Sequence, residues 1–318
     1  MPAIGSPTRS RRELTFSEYS GGLSLTIPFW VLTGGQASPR VLLIAGVHGD
    51  EYEGVAALQT LAEKLDPDSL TGTLTIIPVA NPAAFHSGTR RSPIDRVDLN
   101  RTFPGRKDGS PTERLAWRLF HEIVLDHEIF LSLHGWSKES VVVPYVEYPV
   151  GDSAAARRSC EAAHALGMEY VHPYEWPKGV LGEAALKHGV AAVETEVGGM
   201  GTVTPEGQQE TRRLVHRFLV HLGVLEPDAA ARPAQTAKPK IVDHVDCVSN
   251  HAGLFLSRVL LGERVAAGDV VGTVHGLGGE CLEEVRAPRE GMVAILRRLA
   301  SVQPGDRLAQ LFFWDSME

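Results

Sequence analysis

The sequence predicts an α/β fold, with a mixed central sheet flanked by helices, followed by a small C-terminal all-β barrel or sandwich. Three observations predict it. Strand-like and helix-like segments alternate from about residue 22 to 224, the pattern of helices packed on a buried sheet. Residues 226–240 (EPDAAARPAQTAKPK) are rich in Ala, Pro and polar residues, as a linker would be. Beyond them, short β-rich segments are punctuated by Gly253, Gly262, Gly268, Gly272, Gly276, Gly278, Gly279, Gly291 and Gly305, a spacing that suits hairpins. The expected units are an α/β domain at 1–225, a linker at 226–240 and a small β domain at 241–318.

Each element has its own signal. Residues 41–47 (VLLIAGV) form a continuous apolar run rich in branched side chains, as in a strand buried on both faces. After the loop from His48 to Glu51, Val55, Leu58, Ala62 and Leu65 recur at helical spacing. Residues 73–80 (TLTIIPVA) predict the next strand, which Asn81-Pro82 ends. A helix is predicted over 111–126 and a strand over 128–133; then a helix over 152–166 and a short strand over 169–172. Residues 181–188 are helical and 190–197 extended by the same criteria, and a last helix runs from Pro205, a favoured first-turn residue, to Leu222.

The chain has 318 residues, 43% hydrophobic and 22% charged, ample for a buried core. Its net charge of −8 argues against a nucleic-acid partner. The longest apolar runs are too short to span a bilayer, so no membrane partner is expected. The basic N-terminus is followed by no apolar stretch of the signal-peptide kind, which predicts a cytoplasmic protein. Three scattered cysteines, Cys160, Cys247 and Cys281, make no disulfide framework and are expected as reduced, mostly buried thiols.

Chemistry concentrates in three polar islands. His48-x-x-Glu51 lies where the first strong strand ends, and strand C-terminal ends are where α/β sheets place their sites. His134 ends the apolar run IFLSL, so it is delivered to the same sheet edge. Two His and one Glu are the ligand set of a carbonyl-hydrolysing zinc site, with the fourth position left for water. A lone HxxE is common by chance; the case rests on both motifs occurring at strand ends. The other eleven histidines are expected to be surface or core residues. Between the ligands lies an arginine-rich loop at 89–105, which could grip a carboxylate or simply form ion pairs with Asp95 and Asp98. The third island is Glu194-Thr195-Glu196. Residues two apart on a strand share a face, so the two glutamates are paired; partly buried, their mutual repulsion raises a pKa in a way that suits a general base, while taken alone they could equally be an edge pair in solvent.

With these residues in view, the chain resembles the succinylglutamate desuccinylase/aspartoacylase family, relatives of the zinc carboxypeptidases. The matching features are GVHGDEYEG (46–54), NP (81–82), TRxxPxDxxDLNRxFPG (89–105), SLHGW (132–136) and TEVGG (195–199). The resemblance implies a zinc-carboxypeptidase-like sheet and one Zn2+ per chain on His48, Glu51 and His134. It further implies Glu196 as the catalytic carboxylate, with Glu194 as the alternative. The carbonyl-polarising arginine falls on Arg90, with Arg91 next to it, and the substrate carboxylate falls to Asn100 and Arg101. The implied reaction is hydrolysis of the amide bond of a small N-acyl amino acid by metal-activated water. A carboxypeptidase acting on peptide C-termini and a non-catalytic binding module are the alternatives. The C-terminal segment resembles a biotinyl/lipoyl domain in pattern, but no Lys follows Lys240 to be modified. It is expected as a wall of the site or an oligomer contact, and a homo-oligomer is left open.

Overall fold

The computed structural model describes residues 6–18, 24–36, 38–227 and 238–315. The chain opens on a hairpin of β1 (Thr8–Glu18) and β2 (Ser24–Thr33), then alternates. In order come β3 (Arg40–Ala45), α1 (Glu53–Lys64), β4 (Thr73–Ile77), α2 (Pro82–Ser87), α3 (Pro111–Glu122) and β5 (Ile129–His134). They are followed by β6 (Ser140–Pro149), α4 (Ala154–Ala165), β7 (Tyr170–Tyr174), α5 (Leu181–Lys187), β8 (Ala191–Gly199) and α6 (Pro205–His221). The helix starts follow local chemistry. Ser110 and Glu113 close a capping box on α3, and Thr204 caps α6; Pro111 and Pro205 occupy first-turn positions. β4 stops at Ile77, short of the expected end at Ala80, and Asn81-Pro82 instead starts α2, where the Asn81 side chain accepts from the Ala84 N–H. Most of the expected linker, residues 228–237, lies outside the described residues.

Strands β4, β3, β5 and β8 run parallel, and β6 joins β8 antiparallel. The alternation along β3 separates two cores. Val41, Leu43 and Ala45 pack with α1, α4 and α6; Leu42 and Ile44 pack with α3 and α5. No helix among the described residues is long and apolar enough to cross a membrane.

The C-terminal residues are all β: β9 (Lys240–Ile241), β10 (Asp243–Val248), β11 (Gly253–Ser257), β12 (Arg264–Val265), β13 (Val270–His275), β14 (Cys281–Arg286), β15 (Gly291–Arg297), β16 (Ser301–Val302) and β17 (Arg307–Phe313). They do not stand apart from the central sheet. β6 is the branch point: its Ser140–Val142 end pairs with β15 and its Val146–Pro149 end pairs with β7. The main sheet therefore continues through β15 and β17 to β10, while β14, β13, β11 and β16 make a separate four-stranded antiparallel sheet. One hydrophobic cluster draws on both, with Val271 and Val274 from one and Val293, Leu308 and Leu311 from the other. The cysteines depart from expectation, since only Cys247 is buried and Cys281 is exposed.

His127 meets the expectation of a core histidine. Its Nδ1 lies 2.7 Å from the Ile123 carbonyl, and its Nε2 lies 2.8 Å from the Thr75 hydroxyl. The carbonyl can only accept, so Nδ1 carries the proton and Nε2 accepts from Thr75. Burial, more than any neighbour, lowers its pKa below the ordinary histidine value. The unfolded chain then takes up this proton first as pH falls below about 6.5, so stability drops from there towards the folded pKa, by at most about 1.4 kcal/mol per pH unit. Urea unfolding at pH 7.5 and 5.5 should show a smaller loss in His127→Gln than in the wild type; equal losses would exclude His127 as a source.

Candidate active site

The loop from β3 to α1 carries His48 and Glu51 because its glycines let it fold back tightly. Gly46 has φ +61°, and a Cβ at Gly49 would sit 2.0 Å from the Ala84 backbone. His134 is the last residue of β5, the strand beside β3. The three side chains meet as expected. His48 Nδ1 is 2.7 Å from one Glu51 oxygen, and His134 Nδ1 is 2.9 Å from the other. All three residues are buried, with donor atoms within 4.8 Å of one another.

The electrostatics fit a cation at this point. Burial opposes charge on both imidazoles, but Glu51 outweighs it, with help from Asp98 at His48 and Glu194 at His134, and both pKa values rise. Burial opposes ionisation of Glu51 too, yet the two imidazoles hold its carboxyl well below the usual carboxylate range. Two imidazole nitrogens aimed at one carboxylate are held there either by their own Nδ1–H groups or by a divalent ion between them. Behind the cluster, His48 Nε2 lies 3.3 Å from Asp98 Oδ1 without hydrogen-bond geometry, and His134 Nε2 has no hydrogen-bond partner. A carboxylate behind a ligating histidine is the usual support of a metal site. From sequence, Asp98 is expected only as an ion-pair partner of the arginines.

The arginine-rich loop places Arg90 at the cluster. Its Nε donates to Asp98 Oδ2 at 2.9 Å, and its Nη1 lies 3.8 Å from Glu51 Oε1. Arg91 is exposed and lines the same cavity. Asp98 also accepts from the Asn100 N–H, holding the turn Leu99–Arg101. Asn100 is buried, with Oδ1 accepting from the Leu181 N–H at 2.9 Å. Arg101 is exposed and donates to the Asn100 carbonyl at 2.7 Å. Both residues line the cavity.

Strand register brings the third island in. β8 pairs with β5 so that His134 stands beside Glu196 and Ser132 beside Glu194. On the other side, β6 sets Tyr145 beside Glu196 and Glu147 beside Glu194. Paired residues point to the same face, so His134, Glu196 and Tyr145 form one row across the sheet and Ser132, Glu194 and Glu147 the next. Burial first, and then the Glu51, Glu147 and Glu194 carboxylates, push the Glu196 pKa well above the carboxylate range. Burial, with Glu147, pushes Glu194 up to about 7 against His134 and His48.

These groups line a cavity of about 750 Å³. Its far wall has two parts: Tyr145, Glu147, His172, Tyr174 and Trp176 come from β6, β7 and the chain after them, a stretch with no site signal in sequence, and His244, Arg307 and Gln310 come from the C-terminal strands, in line with the expected wall. His172 is buried and His244 half-buried, and their ring nitrogens lie 3.2 Å apart.

A model of the succinylglutamate desuccinylase/aspartoacylase catalytic domain matches residues 37–222. The chain is 36% identical over 293 residues to the N-alpha-acetyl-L-2,4-diaminobutyric acid deacetylase of Halomonas elongata, covering 90% of this chain and 85% of that protein. It superposes on the product-bound ectoine utilization protein EutE (DoeB) from Ruegeria pomeroyi with a TM-score of 0.89, at 29% identity, over 98% of this chain and 97% of that one. A succinylglutamate desuccinylase/aspartoacylase structure from Rhodobacter sphaeroides gives 0.89 at 27% identity, over 99% and 98%. The chain belongs to the succinylglutamate desuccinylase/aspartoacylase family.

Proposed function

We propose that the chain is a zinc-dependent deacylase that hydrolyses the amide bond of a small N-acyl amino acid. One observation carries the reading: two His Nδ1 atoms converge on one buried carboxylate while the sheet register sets Glu196 beside His134. His48, Glu51 and His134 would hold one zinc per chain. When bound, the metal supplies Lewis-acid polarisation of the acyl carbonyl and a water of lowered pKa.

The protein's own groups do the rest. Glu196 takes a proton from the attacking water and returns it to the leaving nitrogen. Burial raises its pKa above the ordinary carboxylate range, which strengthens it as a base. The Arg90 guanidinium, oriented by Asp98, stabilises the negative charge that develops on the carbonyl oxygen. Arg101, with Asn100 and Arg91, fixes a substrate carboxylate, so that binding energy goes into orientation. We read residues 241–318 as a β unit whose His244, Arg307 and Gln310 complete the pocket wall.

The Halomonas relative is by name a deacetylase of an acetylated diamino acid, so N-acetyl-2,4-diaminobutyrate is the first substrate to test. The Glu147 and Glu194 carboxylates in the cavity suit a second amino group. Amine release from a panel of N-acetyl and N-succinyl amino acids, before and after chelation, tests the proposal. Chelator-sensitive release from one acyl class, restored by zinc, is expected; turnover indifferent to chelation would sink it. Arg90→Ala should lower kcat about a hundredfold, since one such donor contributes about 3 kcal/mol, with zinc content unchanged. An effect confined to KM would move Arg90 from the carbonyl to substrate binding.

A further inference from the structure

The second polar row on the sheet does not stop at Glu147. Parallel pairing of β6 with β7 sets Glu147 beside His172, which is only 3% exposed. His172 Nδ1 lies 2.9 Å from one Glu147 oxygen, and the other oxygen accepts from Trp176 Nε1 at 3.3 Å. A carboxylate only accepts, so the neutral His172 ring keeps its proton on Nδ1 and presents a lone pair at Nε2. A ligating histidine held by a carboxylate has this arrangement. Opposite that lone pair, His244 from β10 brings its Nδ1 to 3.2 Å, with the two rings at 85°. The neighbouring Asp243 carboxylate lies 3.9 Å from His244 Nδ1, and the three donor atoms fall within 4.8 Å of one another. Two nitrogens each about 2.0–2.1 Å from a tetrahedral zinc stand about 3.3 Å apart, so the imidazole pair already has ligating separation.

We propose that His172 Nε2, His244 Nδ1 and the Asp243 carboxylate form a second site for zinc or a similar borderline divalent cation, built from residues other than His48, Glu51 and His134. Two imidazoles and one carboxylate suit such an ion better than calcium or magnesium. Burial first, and then the His172 imidazole, hold the His244 pKa below the ordinary value, which keeps the ring in its ligating form near neutral pH. Asp243 is largely exposed, so the ion exchanges with solvent and binds more weakly than at the buried cluster. His172 comes from β7 and His244 from β10, so the ion adds a link between the cavity wall and the C-terminal strands. The competing account is a plain hydrogen bond from His244 Nδ1–H to His172 Nε2, which calls for no cation.

Equilibrium dialysis of the full chain against rising free zinc, read by elemental analysis, separates the two. The wild type should take up a first tight equivalent and then a second, with a further rise in Tm as the second site fills. His244→Ala should keep the first equivalent and lose the second. Asp243→Ala should weaken the second at least tenfold, and carries the test if His244→Ala does not fold. Saturation of the wild type at one equivalent, a second equivalent retained in His244→Ala, or no weakening in Asp243→Ala would overturn the site. None of these results touches the first equivalent, so they stand apart from the reading of His48, Glu51 and His134.

Discussion

Glu51→Gln is expected to yield a folded protein that purifies with far less than one tightly bound zinc and turns over substrate at background. Glu51 is the one group that both His48 Nδ1 and His134 Nδ1 face, at 2.7 and 2.9 Å. A glutamine keeps the shape and one acceptor oxygen but removes the negative charge and offers an N–H where a ligand oxygen was. The two imidazoles alone then make a weak site. Losing the metal costs several kcal/mol of transition-state stabilisation, on the order of a thousandfold or more in kcat. Elemental analysis and a circular dichroism spectrum of the variant separate this from unfolding. A variant that kept a full, chelator-resistant equivalent of zinc would mean that the ion sits elsewhere. Asp98→Asn makes a graded counterpart, because Asp98 stands behind His48 rather than at the ion; its metal affinity should fall by about 10–100-fold.

How much of this was legible depended on whether a residue's neighbours are near it in sequence. β3 and β5 are buried along their length, so their apolar runs announce them, and with them the positions of His48 and His134. β6 was missed. It carries Pro144 and a register shift between Val142 and Tyr145, and it branches there between β15 and β7; each feature breaks the simple strand pattern. β1 was missed because it is an edge strand whose Arg9, Arg11 and Arg12 stand largely in solvent. The continuation of the central sheet into β15 did leave a trace. All seven residues of β15 are buried, and its apolar run is the signal of a strand covered on both faces rather than of an open hairpin.

The candidate site divides the same way. The ligand motif and the paired glutamates of β8 are local patterns, so spacing suffices to find them. Glu147, His172 and His244 lie on three strands far apart in the chain, and only the register joins them. Nothing in the surrounding sequence marks any of the three. Asp98 was visible but underread, because an aspartate in a loop of arginines looks sufficiently explained by ion pairs.

Glu196→Gln is expected to lower kcat by about 10²–10⁴-fold, the range for losing a positioned general base, while zinc stoichiometry stays at the wild-type value. The proposed role of Glu196 rather than Glu194 rests on the register of β8. Glu196 pairs directly with His134, whereas Glu194 stands one row back beside Ser132; each has one buried oxygen without a hydrogen-bond partner. A base must reach the proton it takes, so Glu194→Gln should change kcat by less than about tenfold. Its larger effect should fall on stability, and its sign follows from the pKa. Burial pushes the Glu194 pKa up to about 7 in the folded protein, above the ordinary glutamate value of 4.5. Folding therefore favours its protonated form, and the ionised form weighs against the folded state increasingly as pH rises from 4.5 through 7. A glutamine mimics the protonated acid, so Glu194→Gln should gain stability relative to the wild type above pH 7 and little below pH 5. The reverse ranking, with Glu194→Gln inactive and Glu196→Gln active, would transfer the proton-transfer role to Glu194 and leave Glu196 as the groove-wall partner of Tyr145.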